Sequence, residues 1–149
     1  MTIFQHRDEK VYFDTCTVSR LFDTIKPPNV KAEAEKIQEI IDNRILGGYA
    51  IIGSAAVIFE IRQIKDDERR MATEEIYNST GADDTPLSEQ SRARAQELRS
   101  KGLKPMDAAH LAAAETAGAG CLLTTDAIFI KICARKNLSK VRVINPLDF

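Results

Sequence analysis

Four carboxylates, widely separated along the chain, stand where side chains could share one chemical task. Asp14 directly follows a short apolar run, and Asp126 comes shortly after another. Asp107 begins an alanine-rich segment, and Glu60 lies within a further apolar segment. Carboxylates that converge repel one another unless a cation offsets their charge, and oxygen ligands suit Mg²⁺ or Mn²⁺. Such a metal activates water and stabilises the oxygens of a phosphodiester, so the four acids raise the hypothesis of metal-dependent phosphoryl hydrolysis.

Glu60 is the most informative of the four acids. At about 100° per residue along a helix, Glu60 projects beside Val57 and Ile64, at the margin of the apolar face. A carboxylate placed there is costly unless it is paired or bound to a metal. Arg62 and Lys65 are poorly placed to pair with it. We therefore expect a partner for Glu60 from a distant part of the chain.

Helix capping is an alternative explanation for the three aspartates. Asp is common at helix starts, because its side chain accepts hydrogen bonds from free N–H groups and its charge suits the helix N-terminus. The chain has 22 acidic residues, so some coincidence of position is expected. Asp23 and Asp148 also follow apolar residues, and we interpret these two as surface residues. Position alone leaves the metal cluster and the capping explanation open.

Length and composition predict one globular domain, residues 1–149. The chain is 44% hydrophobic and 29% charged, with a formal net charge of −1, so no bulk positive charge indicates nucleic acid. Three cysteines without a CxxC pair, and only two histidines, argue against a disulfide framework or a zinc site of the usual ligand spacing. This cysteine usage fits a reducing, cytoplasmic setting. No apolar stretch is long enough to span a membrane.

Short apolar runs alternate with longer amphipathic segments, which is typical of parallel βαβ units with a site at the carboxyl ends of the strands. The first long helix is expected to bury Ala34, Ile37, Ile41 and Ile45. The polar stretch 78–85 is interpreted as a loop. The predicted strands are residues 11–13, 49–52, 121–123 and 141–144, and the predicted helices are 30–46, 55–66, 67–77, 87–101, one that begins at Pro105, and 126–136.

Four local strings resemble the successive motifs of the PIN domain, the fold of the VapC toxins of bacterial toxin–antitoxin pairs. They are VYFDTCTVSRLFD (11–23), GSAAVIFE (53–60), KPMDAAHLAAAE (104–115) and LLTTDAIF (122–129). They follow the family's order and extend over nearly the whole chain. The resemblance implies a three-layer α/β/α sandwich whose central parallel sheet has four to five strands.

The resemblance also implies an activity. Asp14, Glu60, Asp107 and Asp126 would form the catalytic, metal-binding cluster of a Mg²⁺- or Mn²⁺-dependent endoribonuclease that hydrolyses single-stranded RNA. Thr124 matches the hydroxyl that supports such a site. The implied protein is a cytoplasmic toxin with an antitoxin partner, commonly a homodimer, and it does not act at a membrane.

Two departures from the family pattern support an alternative. Cys16 stands where many members have Asn, and residues 127–130 are apolar where many members have a further acid. These departures favour a catalytically inactive PIN-like module that binds RNA or protein, whereas the presence of all four carboxylates favours the enzyme. A phosphoacceptor receiver domain is a third hypothesis, but it requires adjacent acids after the first strand, and Thr15 follows Asp14 here.

Further polar residues could support a site. His110 lies three residues after Asp107 on one helix face, and it either assists the acids or is a packed core residue. Thr15 either holds the turn after the first strand or caps a helix. A basic segment opposed only by Glu97 is either an RNA phosphate-binding strip or a solvated helix face. Its residues are Arg92, Arg94, Arg99, Lys101 and Lys104.

Overall fold

The computed structural model describes residues 10–23, 27–82 and 86–149. Within these ranges, four short strands alternate with eight helices and two short 3-10 turns. The strands are β1 (Lys10–Phe13), β2 (Ala50–Ile52), β3 (Cys121–Leu123) and β4 (Arg142–Ile144). The helices are α1 (Thr15–Ser19), α2 (Pro28–Asp42), α3 (Arg44–Gly47), α4 (Ala55–Ile61), α5 (Asp67–Ser79), α6 (Glu89–Ser100), α7 (Pro105–Thr116) and α8 (Ala127–Lys136).

The strands form one parallel sheet in the order β2-β1-β3-β4. All three residues of β3 are buried, as expected for a strand covered by helices on both faces. The observed sheet confirms the predicted α/β/α fold. From β1 the chain moves to β2 on one side and later to β3 on the other, so the strand order reverses between β1 and β3. The crevice at such a reversal is where open α/β sheets bind ligands.

The alanine-rich helix α7 forms part of the core. Ala108, Ala112 and Ala114 are all completely buried. Small side chains allow close approach of neighbouring elements, and α7 packs against both α6 and β3. Pro105 occupies the first turn of α7, as predicted, because its missing N–H is not needed there. Asp107 is thereby placed in the first turn of a well-buried helix.

The predicted helix 30–46 is interrupted at Asn43. This residue has φ −95° and ψ 7°, which ends α2 and starts the short helix α3. Ile45, after the break, has 83% of its surface exposed, whereas Ile40, before the break, is buried in the core. The expected burial of Ile45 was therefore wrong. Gly48 ends α3 in the left-handed region with φ 72°, which glycine adopts without steric cost.

Helix α4 is shorter than predicted. Ser54 caps its start, accepting a hydrogen bond from the Ala56 N–H at 3.2 Å, as expected. The helix ends at Ile61 and not near residue 66, because Asp66 begins a new helix by accepting from the Arg69 N–H at 3.1 Å. Helix α5 then continues through Ser79, so it includes the start of the stretch interpreted as a loop, and residues 83–85 lie outside the described residues.

In the described part of the chain, no helix is both long enough and apolar enough to cross a membrane.

Candidate active site

Asp14 lies where β1 ends, next to the end of β3. Phe13 and Leu123 are register partners, and the Asp14 N–H donates to the Leu123 carbonyl at 3.3 Å. The side chain is 2% exposed and caps α1, because Oδ1 accepts from the Thr17 N–H at 2.9 Å. Burial raises the pKa of Asp14, an effect that the charge of His110 and hydrogen bonds with nearby threonines oppose. Asp14 is thus a helix cap and a buried carboxylate at the sheet edge.

Thr124 and Asp126 form the matching edge of β3. Thr124 is fully buried, and its Oγ1 accepts from the Asp126 N–H at 3.1 Å. Asp126 caps α8 with one oxygen, since its Oδ1 accepts from the N–H groups of Ile128 at 2.9 Å and Phe129 at 3.2 Å. The capping explanation is therefore confirmed for Asp14 and Asp126. It does not compete with a second role, because each cap uses one carboxylate oxygen.

Asp107 faces these two carboxylates from the start of α7. Burial raises the pKa of Asp107 to about 6, and the negative charges of Asp126 and Asp14 add to the rise. His110 and Lys104 act in the opposite direction without cancelling it. The tertiary structure therefore brings three aspartates from distant parts of the sequence close enough to repel one another.

The Cys16 thiol lies within the electrostatic influence of all four acids. The residue has exposed surface, but enclosure of its thiol and the charges of all four acids raise the pKa of Cys16 to about 12. The order of their effect is Asp14, Glu60, Asp107 and Asp126. A thiol in this field stays protonated, so Cys16 is a neutral neighbour of the cluster and a poor metal ligand at ordinary pH.

Glu60 obtains the distant partners that its sequence position predicts. Its Oε1 accepts from the Thr15 hydroxyl at 2.8 Å and lies 2.6 Å from Nε2 of His110. Burial tends to raise the pKa of Glu60, but the hydrogen bond and charge of His110, with the hydrogen bond from Thr15, hold it below its ordinary value. Thr15 therefore contacts the site, while the cap of α1 is Asp14.

Two further residues of the site were not found from the sequence. The Tyr12 hydroxyl lies 2.8 Å from Nδ1 of His110 and 2.7 Å from the Ser54 hydroxyl. Tyr12 is completely buried, in a strand of otherwise apolar neighbours. A buried hydroxyl needs a hydrogen-bond partner, so a tyrosine in a predicted buried strand was the sequence signal for a polar contact there.

Residues 11–135 match the family model of the PIN domain. The chain belongs to the PIN domain family. This confirms the resemblance drawn from the four motifs. A sequence comparison with curated proteins found no match.

Three solved structures share the fold of this PIN domain. One is VapC20 of Mycobacterium tuberculosis, described as a toxin that cleaves the sarcin-ricin loop, with a TM-score of 0.63, 15% identity, and coverage of 89% of this chain and 98% of that one. VapBC2 from Rickettsia felis, bound to a promoter DNA fragment, has a TM-score of 0.59 at 15% identity over 91% and 98%. FitAB, bound to the IR36 DNA fragment, has a TM-score of 0.57 at 16% identity, and the match covers 91% of this chain and 94% of that one. At identities this low, the similarity shows a shared fold alone.

The donor set of this PIN domain suits a hard divalent cation. All four acids offer oxygen, the ligand type that Mg²⁺ and Mn²⁺ prefer. Burial and the charges of Asp126 and Asp14 raise the pKa of Asp107, and a bound cation would relieve both effects. In the described residues, no three acidic, histidine or cysteine side chains are grouped tightly enough to hold a metal ion by themselves. Mg²⁺ usually binds one or two carboxylates and keeps several waters, so the residues fit it in chemistry.

The basic segment divides between two places. Arg94 pairs with Glu115 through both ends of its guanidinium, at 2.8 and 3.1 Å, near the end of α7 opposite Asp107. Lys101 lies 3.4 Å from Glu97.

The other three members of the segment are exposed. Lys104 precedes α7 and lies close enough to Asp107 to lower its pKa. Arg92 lines a groove with Phe59 and Met106, the sequence neighbours of Glu60 and Asp107. Arg99 lies in the last turn of α6. The structure therefore brings Lys104 close to Asp107 and commits Arg94 to an ion pair elsewhere.

Proposed function

We propose that this PIN domain is a divalent-metal-dependent endoribonuclease that hydrolyses single-stranded RNA and acts as the toxin of a toxin–antitoxin pair. The observation that carries the proposal is the set of acids at the β1/β3 edge, where burial and the negative charges of Asp126 and Asp14 raise the pKa of Asp107. A purely structural cluster would be expected to contain cations among the acids. Repelling carboxylates at a strand-order reversal are instead typical of a site that awaits a positively charged partner.

Asp14, Glu60, Asp107 and Asp126 are the residues that would hold Mg²⁺ or Mn²⁺. When bound, the metal supplies an activated water and stabilisation of phosphodiester oxygens. The protein's own groups keep the acids in place: the Thr17 N–H holds Asp14, and Thr15 holds Glu60. Thr124 supports Asp126 through its backbone N–H. In this proposal all four acids serve as ligands and none as a general base.

The proposed setting follows the relatives in fold. VapC20 is described as a toxin that cleaves the sarcin-ricin loop, which supports RNA as the substrate class. The likeness to VapBC2 supports an antitoxin protein as partner. We include in the proposal a single domain over residues 1–149 and a cytoplasmic location, as predicted from length, composition and cysteine usage, and a homodimer, as implied by the family resemblance.

The direct test is RNA cleavage by the pure protein with Mg²⁺ or Mn²⁺, using a mixed set of single-stranded RNAs. Asp14→Asn removes the charge but keeps an oxygen that can cap α1, so it should fold and lose cleavage. Asp148→Asn is the matched control, because Asp148 is an exposed aspartate that also follows an apolar residue. The control should cleave normally, and chelation should stop cleavage by the wild type.

Cleavage that survives both Asp14→Asn and chelation would overturn the mechanism. RNA that is bound by the wild type and never cut would favour the non-catalytic binding module. For the toxin role, induced expression in bacteria should arrest growth with the wild type and with Asp148→Asn, but not with Asp14→Asn. Normal growth with an RNA-cleaving wild type would separate the enzyme from the toxin role.

A further inference from the structure

A continuous line of buried hydrogen bonds leads from the core to the Glu60 carboxylate. The Ser54 and Tyr12 hydroxyls lie 2.7 Å apart, and the Tyr12 hydroxyl lies 2.8 Å from Nδ1 of His110. Nε2 of His110 lies 2.6 Å from Oε1 of Glu60. The His110 side chain is 2% exposed and that of Glu60 is 32% exposed. The line therefore joins a fixed core position to a carboxylate at the edge of the site.

An ionised carboxylate only accepts, so Nε2 of His110 carries the proton that is donated to Glu60. In a neutral ring Nδ1 accepts from the Tyr12 hydroxyl, and Tyr12 accepts from Ser54; in a protonated ring Nδ1 donates to Tyr12, and Tyr12 donates to Ser54. The Ser54 oxygen also accepts from the Ala56 N–H at 3.2 Å. Every member has a defined partner, which leaves the His110 ring one orientation.

The result for Glu60 is a difference between its two oxygens. Oε1 accepts from His110 and from Thr15, which reach it from α7 and α1. Among the described residues no hydrogen bond reaches Oε2. Glutamate has three rotatable side-chain bonds, and two donors on one oxygen restrict them before any ligand arrives. Oε2 is therefore the oxygen that remains available to a cation.

We propose that His110 is a positioning residue of the site: with its ring fixed by Tyr12, it holds Oε1 of Glu60 and presents Oε2 to the divalent cation. This inference rests on the proposed function, in which Glu60 is a metal ligand. The hydrogen bond to Glu60 satisfies the buried Nε2 of His110, and because Glu60 is partly exposed at the edge of the site, the same bond fixes the position of its carboxylate. The closest analogy in metal sites is the outer partner that orients a ligand, whose loss typically weakens metal binding about 10- to 100-fold.

The first test reads the His110 ring without any metal or RNA. The chain has two histidines, His6 and His110, so His6→Gln in a protein without a polyhistidine tag leaves one ring to observe. Long-range ¹H–¹⁵N correlation spectra should show the Nε2–H tautomer. Tyr12→Phe should shift the Nδ1 resonance, and Glu60→Gln should shift the Nε2 resonance. An Nδ1–H tautomer, or no response to Glu60→Gln, would overturn the proposed orientation.

The second test measures Mn²⁺ binding by the signal of free Mn²⁺ in electron paramagnetic resonance. His110→Ala should weaken binding about tenfold, and Tyr12→Phe should weaken it about threefold. His110→Gln should restore most of the affinity, because its amide nitrogen can donate near the position of Nε2. Leu111→Val is the control, since Leu111 is the next residue on α7 and is also fully buried. It should bind Mn²⁺ as the wild type does.

Cleavage assays distinguish weakened metal binding from simple loss of folding. In His110→Ala, raising the Mn²⁺ concentration should recover most of the RNA cleavage rate, whereas Asp14→Asn should not recover. Equal Mn²⁺ affinity of wild type and His110→Ala would overturn the role of His110 and leave the proposed nuclease standing. A wild type that binds no Mn²⁺ would overturn the metal site, and with it the role assigned to His110.

Discussion

The two ends of helix α7 carry acids in opposite environments. Asp107 stands in the first turn, where the helix dipole favours a negative charge, and Glu115 stands in the last turn, where the dipole disfavours one. The pKa shifts of the two acids run the other way. Burial, reinforced by Asp126 and Asp14, raises the pKa of Asp107 to about 6. At Glu115 burial also acts to raise the pKa, but Arg94 and Ser139 hold it below its ordinary value.

The difference shows which acid is part of the architecture. Glu115 accepts from both ends of the Arg94 guanidinium and from the Ser139 hydroxyl at 2.6 Å, so it ties α6, α7 and the chain before β4 together. Asp107 meets other carboxylates, and this cost remains in the metal-free protein. Partners from distant elements thus outweigh the dipole at both ends, and only one end is left with uncompensated charge.

The largest expected effect is a difference in RNA cleavage between variants at the two ends of α7. Asp107→Asn should lower RNA cleavage by at least about 100-fold, because loss of a metal ligand should cost no less than loss of a partner that orients one. Glu115→Gln should stay within about threefold of the wild type at a temperature where both variants are folded. Initial rates with labelled RNA would measure this. Equal losses at both ends would contradict the assignment of the site to the Asp107 end.

The second effect concerns stability and has opposite signs at the two ends. Glu115→Gln should lower the free energy of unfolding by about 1–2 kcal/mol, between the values for exposed and buried ion pairs, because Arg94 loses its partner. Asp107→Asn should raise it in metal-free buffer at pH 7.5, because a repelling charge is removed. Urea denaturation would measure both. A loss of stability in Asp107→Asn would show that the acids are held by contacts that this interpretation lacks.

The third effect is the pH dependence of cation stabilisation. The pKa of Asp107 is about 6 when folded, above its ordinary value of 3.8, so the folded state binds more protons between these values. Its contribution to stability is therefore complete below about pH 4 and is lost as the pH rises through about 6. Mg²⁺ at about tenfold its dissociation constant should then raise the melting temperature by about 3–6 °C at pH 7.5.

At pH 5 the same addition should raise the melting temperature much less, because protonated Asp107 no longer repels its neighbours or attracts the cation. Thermal denaturation followed by circular dichroism would measure this, with KCl of equal ionic strength as the control. In Asp107→Asn the Mg²⁺ effect should be small at both pH values. A wild-type gain that is equal at pH 5 and pH 7.5 would show that Asp107 does not take part in cation binding.

The smallest effect concerns the basic residues near each end. Lys104→Gln should weaken binding of single-stranded RNA by about two- to fivefold and reduce the salt slope by about 0.7, as expected for one lost phosphate contact. Lys140→Gln is the matched control, because Lys140 is an exposed lysine beside Glu115. It should change RNA affinity less than twofold. Fluorescence anisotropy across a salt series would measure both, and equal effects would mean that RNA does not approach from the Asp107 end.

The strands and most helices could be predicted because local patterns determine them. Residues 121–123 were predicted as a strand with the observed bounds, since a short apolar run between turn residues is typical of a buried strand. The helix break at Asn43 was not predicted, because the helical spacing of apolar residues continues past it to Ile45. Ile45 was therefore wrongly assigned to the buried face of the helix. Helix ends depend on single backbone angles, which the average pattern of a helix does not record.

The candidate site was only partly predictable. Asp14, Glu60, Asp107 and Asp126 were predicted from their types and positions, and the negative charges of all four act on Cys16, but their role as a metal-binding set stays a prediction. The Arg94–Glu115 pair was not foreseen, since its members come from different helices. Tyr12 was also missed, because in the sequence it is simply one member of a buried strand.

The sequence by itself determined which elements form, and that acids follow β1, precede α8 and begin α7. It also required that Glu60 find a distant partner, because a carboxylate at the margin of an apolar face cannot stay unpaired. Only the tertiary structure decided that the partner is His110, fifty residues away, and that Asp107 would meet acids while Glu115 met Arg94. The physical reason is that charge and hydrogen-bond energies depend on distances in space, and chain spacing does not set these between separate elements.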